Sequence, residues 1–392
     1  MKPLLSIVIP TKNRQIYAIE AIASVVRADG GERKMEAVVQ DCSDTSLLAS
    51  MIATRFPDTS LINYQHDNKT ISMEDNWDKA FSRASGTYVC GIGDDDVILS
   101  NILSCLELMK SEKIDCLRQP MATYFWADSG VRSFNDQILT YPKNCLPEIK
   151  SINLDEMYER KVRSCGFGYT EDIAGVYHTI IENDILLKHK RKCGRIIGGP
   201  SPDAYTAFAF SAYARNLAVY GVPFSIYGIC PDSNASRNVY RKWTKELINE
   251  LGDKRDESTP DCLPDLQTSE ISITESLIYA LRDTKEDGRL ADMDFSYVFG
   301  KSAALNLLIA SSLYKKFLVV DRLPEKEKRF LIRFCSFFKA RLISQLRNFA
   351  ANTISYFPQK FRTICLEKMS HSNKAYCRTI FEAAIFLESL ND

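Results

Sequence analysis

Three adjacent carboxylates interrupt an apolar stretch in the first quarter of the chain. Asp94, Asp95 and Asp96 follow an apolar run that ends at Ile92, and apolar residues resume at Val97. Like charges this close repel one another, so the segment requires compensation by positive charge. Mg²⁺ and Mn²⁺ take oxygen ligands, one or two from protein carboxylates and the rest from water and substrate phosphates. The triplet therefore predicts a divalent metal site that favours a diphosphate ligand.

Other polar residues follow neighbouring apolar runs. The first run ends in Pro10, Thr11, Asn13 and Arg14, and the second ends in Asp41. In a parallel sheet the carboxyl ends of the strands lie at one edge, where ligands bind. We therefore expect these residues to share a site with the triplet. Asp41 is suited to accept a hydrogen bond from an NH group of a nucleotide base.

The first 125 residues alternate short apolar runs with amphipathic stretches. Strands are predicted at residues 4–10, 35–41, 60–66, 87–92 and 116–123. Helices are predicted at residues 16–26, 47–56, 72–84 and 100–113, the third with a capping box from Ser72 and Asp75. This alternation predicts an α/β fold with a mostly parallel central sheet that is covered on both faces.

The rest of the chain is predicted to hold a second half-domain, a linker and a helical region. Residues 126–245 are less regular, with a helix start at Ser201, Pro202 and Asp203 and an edge strand in 221–231. Residues 246–270 resemble a linker, and 271–392 have few glycines and helical periodicity. We expect a catalytic domain in 1–245, with its halves divided at residue 125, and a helical C-terminal domain.

Composition excludes several classes of protein. The 392 residues balance 50 Lys and Arg against 50 Asp and Glu, which gives no sign of a nucleic-acid partner. The 12 cysteines form no CxxC pair, so a structural zinc site is not expected. The first apolar run is too short for a signal peptide, and no stretch reaches the length of a membrane span. We expect a reducing, cytoplasmic location.

Four segments together resemble a known family. "LSIVIPTKNR", "VVQDCSD", "SMEDNWDKAFSRASGTYV" and "GDDD", in this order and spacing, are similar to the nucleotide-binding half of family 2 glycosyltransferases with the GT-A fold. A weaker similarity continues to about residue 236. The resemblance implies an inverting transferase that moves a sugar from a nucleotide donor, a UDP-sugar being favoured. The acceptor would be a saccharide or lipid-linked hydroxyl in cell-surface polysaccharide assembly, and the cofactor Mn²⁺ or Mg²⁺.

The resemblance also implies roles for individual residues. Pro10, Thr11, Asn13 and Arg14 would line the nucleoside pocket, Asp41 would contact the base, and Asn76 would lie near the sugar. The metal motif DxD fits two registers. One uses Asp94 and Asp96, and the other places Gly93 at the first acid and uses Asp95 and Asp96. Asp96 belongs to both registers and is therefore the expected metal ligand, with the choice between Asp94 and Asp95 open. Gln40 and Cys42 depart from the family pattern, which leaves the base preference open.

A carboxylate is needed to take the proton of the acceptor hydroxyl. Asp203 matches the family's base position, and a helix start favours its ionised form. The alternatives are that Asp203 only stabilises that helix, or that Asp172, beside Glu171, is the base. His178 would contact the acceptor or a phosphate, unless it is a core histidine.

Two further arginines and a basic tail have open roles. Arg237 and Arg241 would meet the diphosphate during loop closure, unless they are solvated loop charges. Residues 313–369 hold 13 Lys and Arg against four Asp and Glu, with apolar residues at helical spacing. Such a segment is typical of an amphipathic helix that packs on the catalytic domain or on a second protomer. Alternatively, it lies on the inner face of the plasma membrane and brings the enzyme to a lipid-linked acceptor.

Two rival functions fit parts of this pattern. A sugar-phosphate nucleotidyltransferase shares a related fold, but it normally has an early glycine-rich loop with a basic residue, which "SIVIPTKNR" lacks. A non-catalytic nucleotide-sugar-binding subunit of an assembly complex would keep the nucleotide residues, whereas the acidic triplet and Asp203 argue for catalysis.

Overall fold

The computed structural model describes most of the chain. The described residues are 2–57, 60–69, 71–127, 129, 138–142, 145–169, 173–233, 262–263, 269–305, 307, 310–354 and 373–390, with side chains described only from 139 within 138–142 and only to 343 within 310–354. Among these residues, no helix combines the length and apolar character needed to cross a membrane.

The described residues form thirteen strands and twelve α-helices. The strands are β1 (Leu5–Thr11), β2 (Met35–Asp41), β3 (Ile62–His66), β4 (Tyr88–Gly91), β5 (Val97–Ile98), β6 (Cys116–Arg118), β7 (Thr123–Phe125), β8 (Ile138–Tyr141), β9 (Ile149–Ile152), β10 (Thr179–Glu182), β11 (Leu217–Tyr220), β12 (Ser225–Ile229) and β13 (Asn373–Tyr376). The helices are α1 (Gln15–Asp29), α2 (Leu47–Arg55), α3 (Met73–Ser82), α4 (Ile102–Glu112), α5 (Leu154–Arg163), α6 (Asn183–Cys193), α7 (Pro202–Ser211), α8 (Ser269–Asp283), α9 (Ser296–Leu305), α10 (Ala310–Val320), α11 (Lys326–Ile354) and α12 (Ile380–Ser389).

An eight-stranded sheet in the order β3-β2-β1-β4-β10-β6-β11-β9 forms the centre of the molecule. β1 to β4 are parallel to one another, β6 is parallel to β11, and β10 and β9 run antiparallel to their neighbours. The prediction of an α/β fold with a mostly parallel central sheet is confirmed. The first four predicted strands and the helices between them lie within a few residues of their expected bounds.

Alternating side chains of β1 pack against both layers of helices, as the twofold period of a strand requires. Leu5, Ile7 and Ile9 join the core under α1 and α4. Val8 points to the other face and joins the core that contains Phe81 of α3. Burial on both faces explains why this strand is a continuous apolar run rather than an alternating one.

A second sheet in the order β13-β8-β7-β12-β5 lies beside the first. The predicted strand 116–123 is two strands, because β6 belongs to the large sheet and β7 to the smaller one. The predicted edge strand in 221–231 is β12, which lies between β7 and β5 and is therefore not an edge strand.

The predicted helical C-terminal region is present, and part of it is built into the fold around the acidic triplet. Helix α8 packs against α7, and α11 packs against α9. The chain then returns to the small sheet, where β13 pairs antiparallel with β8. Helix α12 packs in one apolar cluster with Val97, Leu99 and Tyr124. The C-terminal strand and helix thus complete the core next to the triplet.

Candidate functional site

The ends of β1 and β2 are joined side by side at the edge of the large sheet. Thr11 pairs in register with Asp41. Asn13, which has a left-handed backbone with φ of 57°, donates from its backbone NH to Ser43 Oγ at 2.7 Å. Its side chain exchanges two hydrogen bonds with Asp44. Asn tolerates this conformation better than most residues, so Asn13 fixes the two loops relative to each other.

Asp41 is buried at this edge, with both carboxylate oxygens accepting hydrogen bonds. The backbone NH of Ser43 donates to Oδ1 at 2.9 Å, and the Tyr64 hydroxyl donates to Oδ2 at 2.9 Å. These bonds orient the carboxylate and leave each oxygen a second lone pair. Asp41 can therefore still accept a hydrogen bond from a ligand NH.

Asn76 of α3 presents an unpaired polar atom to the same edge. Its amide nitrogen donates to the carbonyl oxygen of Thr11 at 3.3 Å, whereas its buried Oδ1 has no hydrogen-bond partner. An unsatisfied buried acceptor costs about 1–3 kcal/mol. A ligand hydroxyl that donates to this oxygen would recover that energy.

Arg14 supplies positive charge to the first two acids of the triplet. Its Nη2 lies 2.8 Å from Asp94 Oδ1, and its Nη1 lies 3.8 Å from Asp95 Oδ1. Thr11 donates from its hydroxyl to the other oxygen of Asp94 at 2.6 Å. Burial lowers the pKa of Arg14, but the charges of Asp94 and Asp95 outweigh this effect and raise it above its ordinary value. The guanidinium is therefore a permanent counter-charge.

Asp95 is the least compensated acid of the three. Its Oδ2 accepts one bond from the backbone NH of Cys230 at 3.2 Å. Burial raises the pKa of Asp95 to about 7, against the opposing effect of Arg14. Burial raises the pKa of Asp94 as well. Both carboxylates would be stabilised in their charged form by an added cation.

Asp96 is instead held by four donors from the protein. Its Oδ2 accepts bonds from the backbone NH of Gly93 and from the Tyr177 hydroxyl at 2.9 Å, and it lies 2.8 Å from His178 Nε2. Its Oδ1 accepts the backbone NH of Gly228 at 2.7 Å. Burial acts to raise the pKa of Asp96, but His178 and these bonds lower it overall.

Glycine at position 228 lets β12 close over the triplet. A Cβ there would lie 1.7 Å from the carbonyl oxygen of Asp95, a backbone atom that cannot move aside. The same close approach brings the NH of Gly228 to Asp96. The edge of β12 is therefore a wall of the site.

His178 lies inside this wall rather than facing an open cleft. Its Nδ1 is 2.6 Å from Ser225 Oγ, and its ring stacks on Tyr227 with 3.5 Å between centroids. Its φ of 48° is a left-handed value that costs of order 1 kcal/mol for such a residue. Both ring nitrogens have protein partners, so in this conformation neither is available to an acceptor or a phosphate.

The sequence favours Asp96 as a metal ligand, but Asp96 already has four donors, whereas burial raises the pKa of Asp94 and Asp95. Asp94 and Asp95 are therefore the better candidates to hold a divalent cation. Asp94 Oδ1 forms an ion pair with Arg14 but accepts no hydrogen bond with good geometry. The described part of the chain has no group of three or more His, Cys, Asp or Glu placed to hold a metal ion. Mg²⁺ and Mn²⁺ commonly use only one or two carboxylates, with phosphates and water completing the shell. A cation here would therefore depend on a phosphate ligand.

Asp203 is positioned at the start of α7 by two hydroxyl groups. Ser201 donates to its Oδ1 at 2.7 Å, and the Tyr169 hydroxyl donates to its Oδ2. The expected side-chain cap from Ser201 is not formed, because this hydroxyl bonds to Asp203 instead. Burial and the neighbouring Asp203 raise the pKa of Tyr169 well above its usual value, so its hydroxyl remains a donor.

A pocket joins Asp203 to the triplet through Tyr177. The lining residues are Arg118, Tyr169, Gly175, Tyr177, Asp203, Ala207 and Tyr227. Tyr177 lines this pocket and also donates its hydroxyl to Asp96. The sequence does not single out Arg118 or the tyrosines of this pocket. The one local signal is Tyr177, which directly precedes His178.

Four of the residues singled out from the sequence lie outside the described part of the chain. These are Glu171, Asp172, Arg237 and Arg241. Pro10 lies within β1 and is buried, in register with Gln40 of β2.

Comparisons with known proteins agree with this geometry. The sequence model of Glycosyl transferase family 2 matches residues 6–137, which include the β1, β2 and triplet parts of the site. WcaA of Escherichia coli (strain K12), whose name proposes a glycosyl transferase of colanic acid biosynthesis, is 36% identical over 112 residues. That match covers 29% of this chain and 39% of WcaA.

A second relative carries a name with a defined reaction. The GalNAc(5)-diNAcBac-PP-undecaprenol beta-1,3-glucosyltransferase of Campylobacter jejuni subsp. jejuni serotype O:2 is 31% identical over 105 residues. The match covers 26% of this chain and 33% of that protein. The chain thus matches well under half the length of either relative.

One solved structure is similar across most of the fold. S. aureus TarS 1–349, crystallised with UDP-GlcNAc, has a TM-score of 0.50 and 14% identity, covering 88% of this chain and 92% of that one. At this identity the likeness concerns the fold alone. Residues 6–137 therefore match Glycosyl transferase family 2 in sequence, and the fold of most of the chain is similar to that of the TarS fragment.

Proposed function

We propose that this protein is an inverting glycosyltransferase of cell-surface polysaccharide biosynthesis. It would move a sugar from a nucleoside diphosphate to a hydroxyl group of a saccharide or lipid-linked acceptor. The observation that carries the proposal is the pocket that Asp203 lines and that Tyr177 connects to Asp96. This arrangement supports a base at Asp203 and a diphosphate site at the triplet, with Tyr177 as the link between them.

The donor would bind along the edge formed by β1, β2 and α3. Asp41 would accept a base NH, and Asn76 Oδ1 would accept a hydroxyl of the donor. Thr11, Asn13 and Arg14 would line the nucleoside and diphosphate path. A UDP-sugar is favoured because the structurally similar TarS was crystallised with UDP-GlcNAc.

Asp94 and Asp95 would hold Mn²⁺ or Mg²⁺, with Asp96 supporting the loop rather than coordinating. When bound, the metal would neutralise negative charge on the diphosphate. Arg14 adds a fixed positive charge at the same place, so the leaving group would be stabilised by both.

Asp203 would act as the base. The acceptor O–H bond breaks as its proton passes to a carboxylate oxygen of Asp203, and the acceptor oxygen forms a bond to the anomeric carbon. The bond from that carbon to the phosphate oxygen breaks on the opposite face, and the nucleoside diphosphate leaves with the electron pair. Tyr169 and Ser201 would hold the carboxylate in place throughout.

Donor turnover by the full chain tests this function. We would measure binding of UDP and UDP-sugars by thermal shift with Mn²⁺, and release of UDP with and without candidate acceptors. Wild type should bind and slowly turn over at least one donor, whereas Asp203→Asn should bind it and lose turnover. Donor binding without any turnover by wild type would instead support a non-catalytic nucleotide-sugar-binding subunit.

A further inference from the structure

The outward side of α11 has a surface that the transfer reaction does not use. Four of its apolar side chains, Leu331, Ile332, Leu342 and Ile343, are 60%, 53%, 45% and 40% exposed. Two exposed lysines lie among them, and at 3.6 residues per turn all six fall on one side of the helix. We call this set the outer stripe; its members are Lys328, Leu331, Ile332, Lys339, Leu342 and Ile343.

The opposite side of α11 already anchors the helix to the protein. Arg329 forms ion pairs with Asp294 and Asp321, and Arg333 donates to the Tyr297 hydroxyl. The arginines of this part of the helix therefore face inward, while the lysines face solvent. Because the inner side satisfies the packing, the outer stripe is free to contact something else.

The charge of this region selects the kind of partner. Residues 328–354 include six Lys and Arg, and no Asp or Glu occurs from 328 to 366. Lys328 pairs with exposed Glu325 at 3.0 Å, but the stripe itself contains no carboxylate. A symmetric pair of copies would therefore bury Lys339 against a surface without an opposite charge, which is costly. Anionic lipid headgroups would instead pair with the lysines while the apolar side chains enter the interface.

We propose that the outer stripe binds the surface of a bilayer that contains anionic lipids. The stripe from Leu331 to Ile343 is about 18 Å long, and the helix would lie along the membrane plane. Exposed Lys315 on α10 adds positive charge on the preceding helix.

The inner side of α11 connects this surface to the acceptor side of the pocket. Phe337 packs on Phe167 with 5.7 Å between ring centroids, and Tyr169, two residues further on, bonds to Asp203. A lipid-linked acceptor would thus approach from the side of the molecule that meets the membrane. This link to the acceptor rests on the proposed function, whereas membrane binding itself does not.

Vesicle flotation of the full chain tests the proposal. The vesicles would be phosphatidylcholine alone, or phosphatidylcholine and phosphatidylglycerol in equal parts, at low and high salt. Wild type should float with the anionic vesicles at low salt and less at high salt. Lys328→Glu with Lys339→Glu, and separately Leu331→Asn with Leu342→Asn, should each lower the bound fraction at least about tenfold. The control is Ile385→Asn, which changes an apolar residue of α12 that is 60% exposed and should float as wild type does.

Three results would overturn the proposal. One is wild type that fails to float with anionic vesicles, and another is stripe variants that float as wild type does. The third is that wild type is a dimer in sedimentation velocity, whereas the stripe variants are monomers that float as wild type does. UDP binding is measured on the same proteins. Intact flotation without any nucleotide binding would refute the proposed function and leave membrane binding supported.

Discussion

Arg14 Nη2 lies 2.8 Å from Asp94 Oδ1, so a residue at the start of α1 neutralises an acid that follows β4. Asp95 shares this guanidinium at 3.8 Å, while His178 serves Asp96 on the other side. The three carboxylates therefore have partners within the chain before any ligand binds. A metal ion would therefore bind to acids that are already held in place by residues of the protein.

Removal of the guanidinium should make the protein depend on metal for stability. Without Mn²⁺, Arg14→Ala should lower the free energy of unfolding by about 2 kcal/mol, because two buried carboxylates lose their counter-charge. Added Mn²⁺ should recover more stability in this variant than in wild type. Urea unfolding with and without Mn²⁺ measures both, with Arg14→Lys as the control that keeps the charge. Equal urea midpoints for Arg14→Ala and wild type in metal-free buffer would show that the ion pair of Arg14 and Asp94 contributes nothing to the free energy of unfolding.

Asp95 and Asp96 should respond differently to the same substitution. Asp95→Asn should weaken Mn²⁺ binding in the presence of UDP at least about tenfold, with little loss of stability, because burial already disfavours its charge. Asp96→Asn should cost about 1–3 kcal/mol of stability, because four donors lose a charged acceptor. Mn²⁺ titration by electron paramagnetic resonance and urea unfolding separate the two. The opposite pattern would assign the metal to Asp96.

Tyr169 should affect the rate of transfer without affecting donor binding. In Tyr169→Phe, Asp203 loses the hydroxyl that fixes one of its oxygens, and kcat should fall about tenfold. The KM for the donor should not change, because Tyr169 lies in the pocket of Asp203 and not at the β1–β2 edge. Steady-state kinetics tests this, with Tyr279→Phe on α8 as the control. A parallel rise in donor KM would point to a general structural role instead.

One contribution to stability should be lost in mild acid because of a buried histidine on α6. His189 Nε2 bonds to the Tyr205 hydroxyl, near Tyr213, Asp283 and Arg195, and burial lowers its pKa from 6.5 to about 4. The folded state therefore favours neutral His189. The stabilisation is complete above pH 6.5 and is lost as the pH falls from there to about 4. Because buried Asp95 gains stability over the same range by taking up a proton, the informative quantity is the difference between the two proteins. The urea midpoint of wild type should fall relative to that of His189→Gln as the pH goes from 6.5 to 4, and a constant difference would assign the acid sensitivity elsewhere.

The sequence was sufficient to predict the parts of the site that depend on strand periodicity. Buried apolar strands in a parallel sheet bring Thr11, Asp41 and Asp94 to one edge, and the structure shows them there. The predicted N-cap of α3 is also formed, with the NH of Asp75 donating to Ser72 Oγ at 3.0 Å, which is one of the two bonds of a capping box. Both features depend on local spacing, which a sequence records directly.

Contacts between distant segments could not be predicted in this way. Tyr177 is 81 residues from Asp96, and Tyr169 is 34 residues from Asp203. Ser201 looked like a helix cap because Ser before Pro is a common start signal, but a carboxylate two residues later takes its hydroxyl. Such choices depend on which partner lies nearer in the folded chain.

The pairing of β13 with β8 has a consequence for biosynthesis. Residues 373–390 complete the apolar cluster that contains Val97 and Leu99, so this part of the core joins segments almost 300 positions apart. Glu388 adds bonds to Ser100 across 288 positions and to Arg27 across 361. During translation, the large sheet can form early, but the support next to the acidic triplet must wait until residue 390 has left the ribosome. A ribosome-bound chain stopped before residue 373 should therefore be a poor binder of nucleotide, even though it already contains every proposed donor-binding residue.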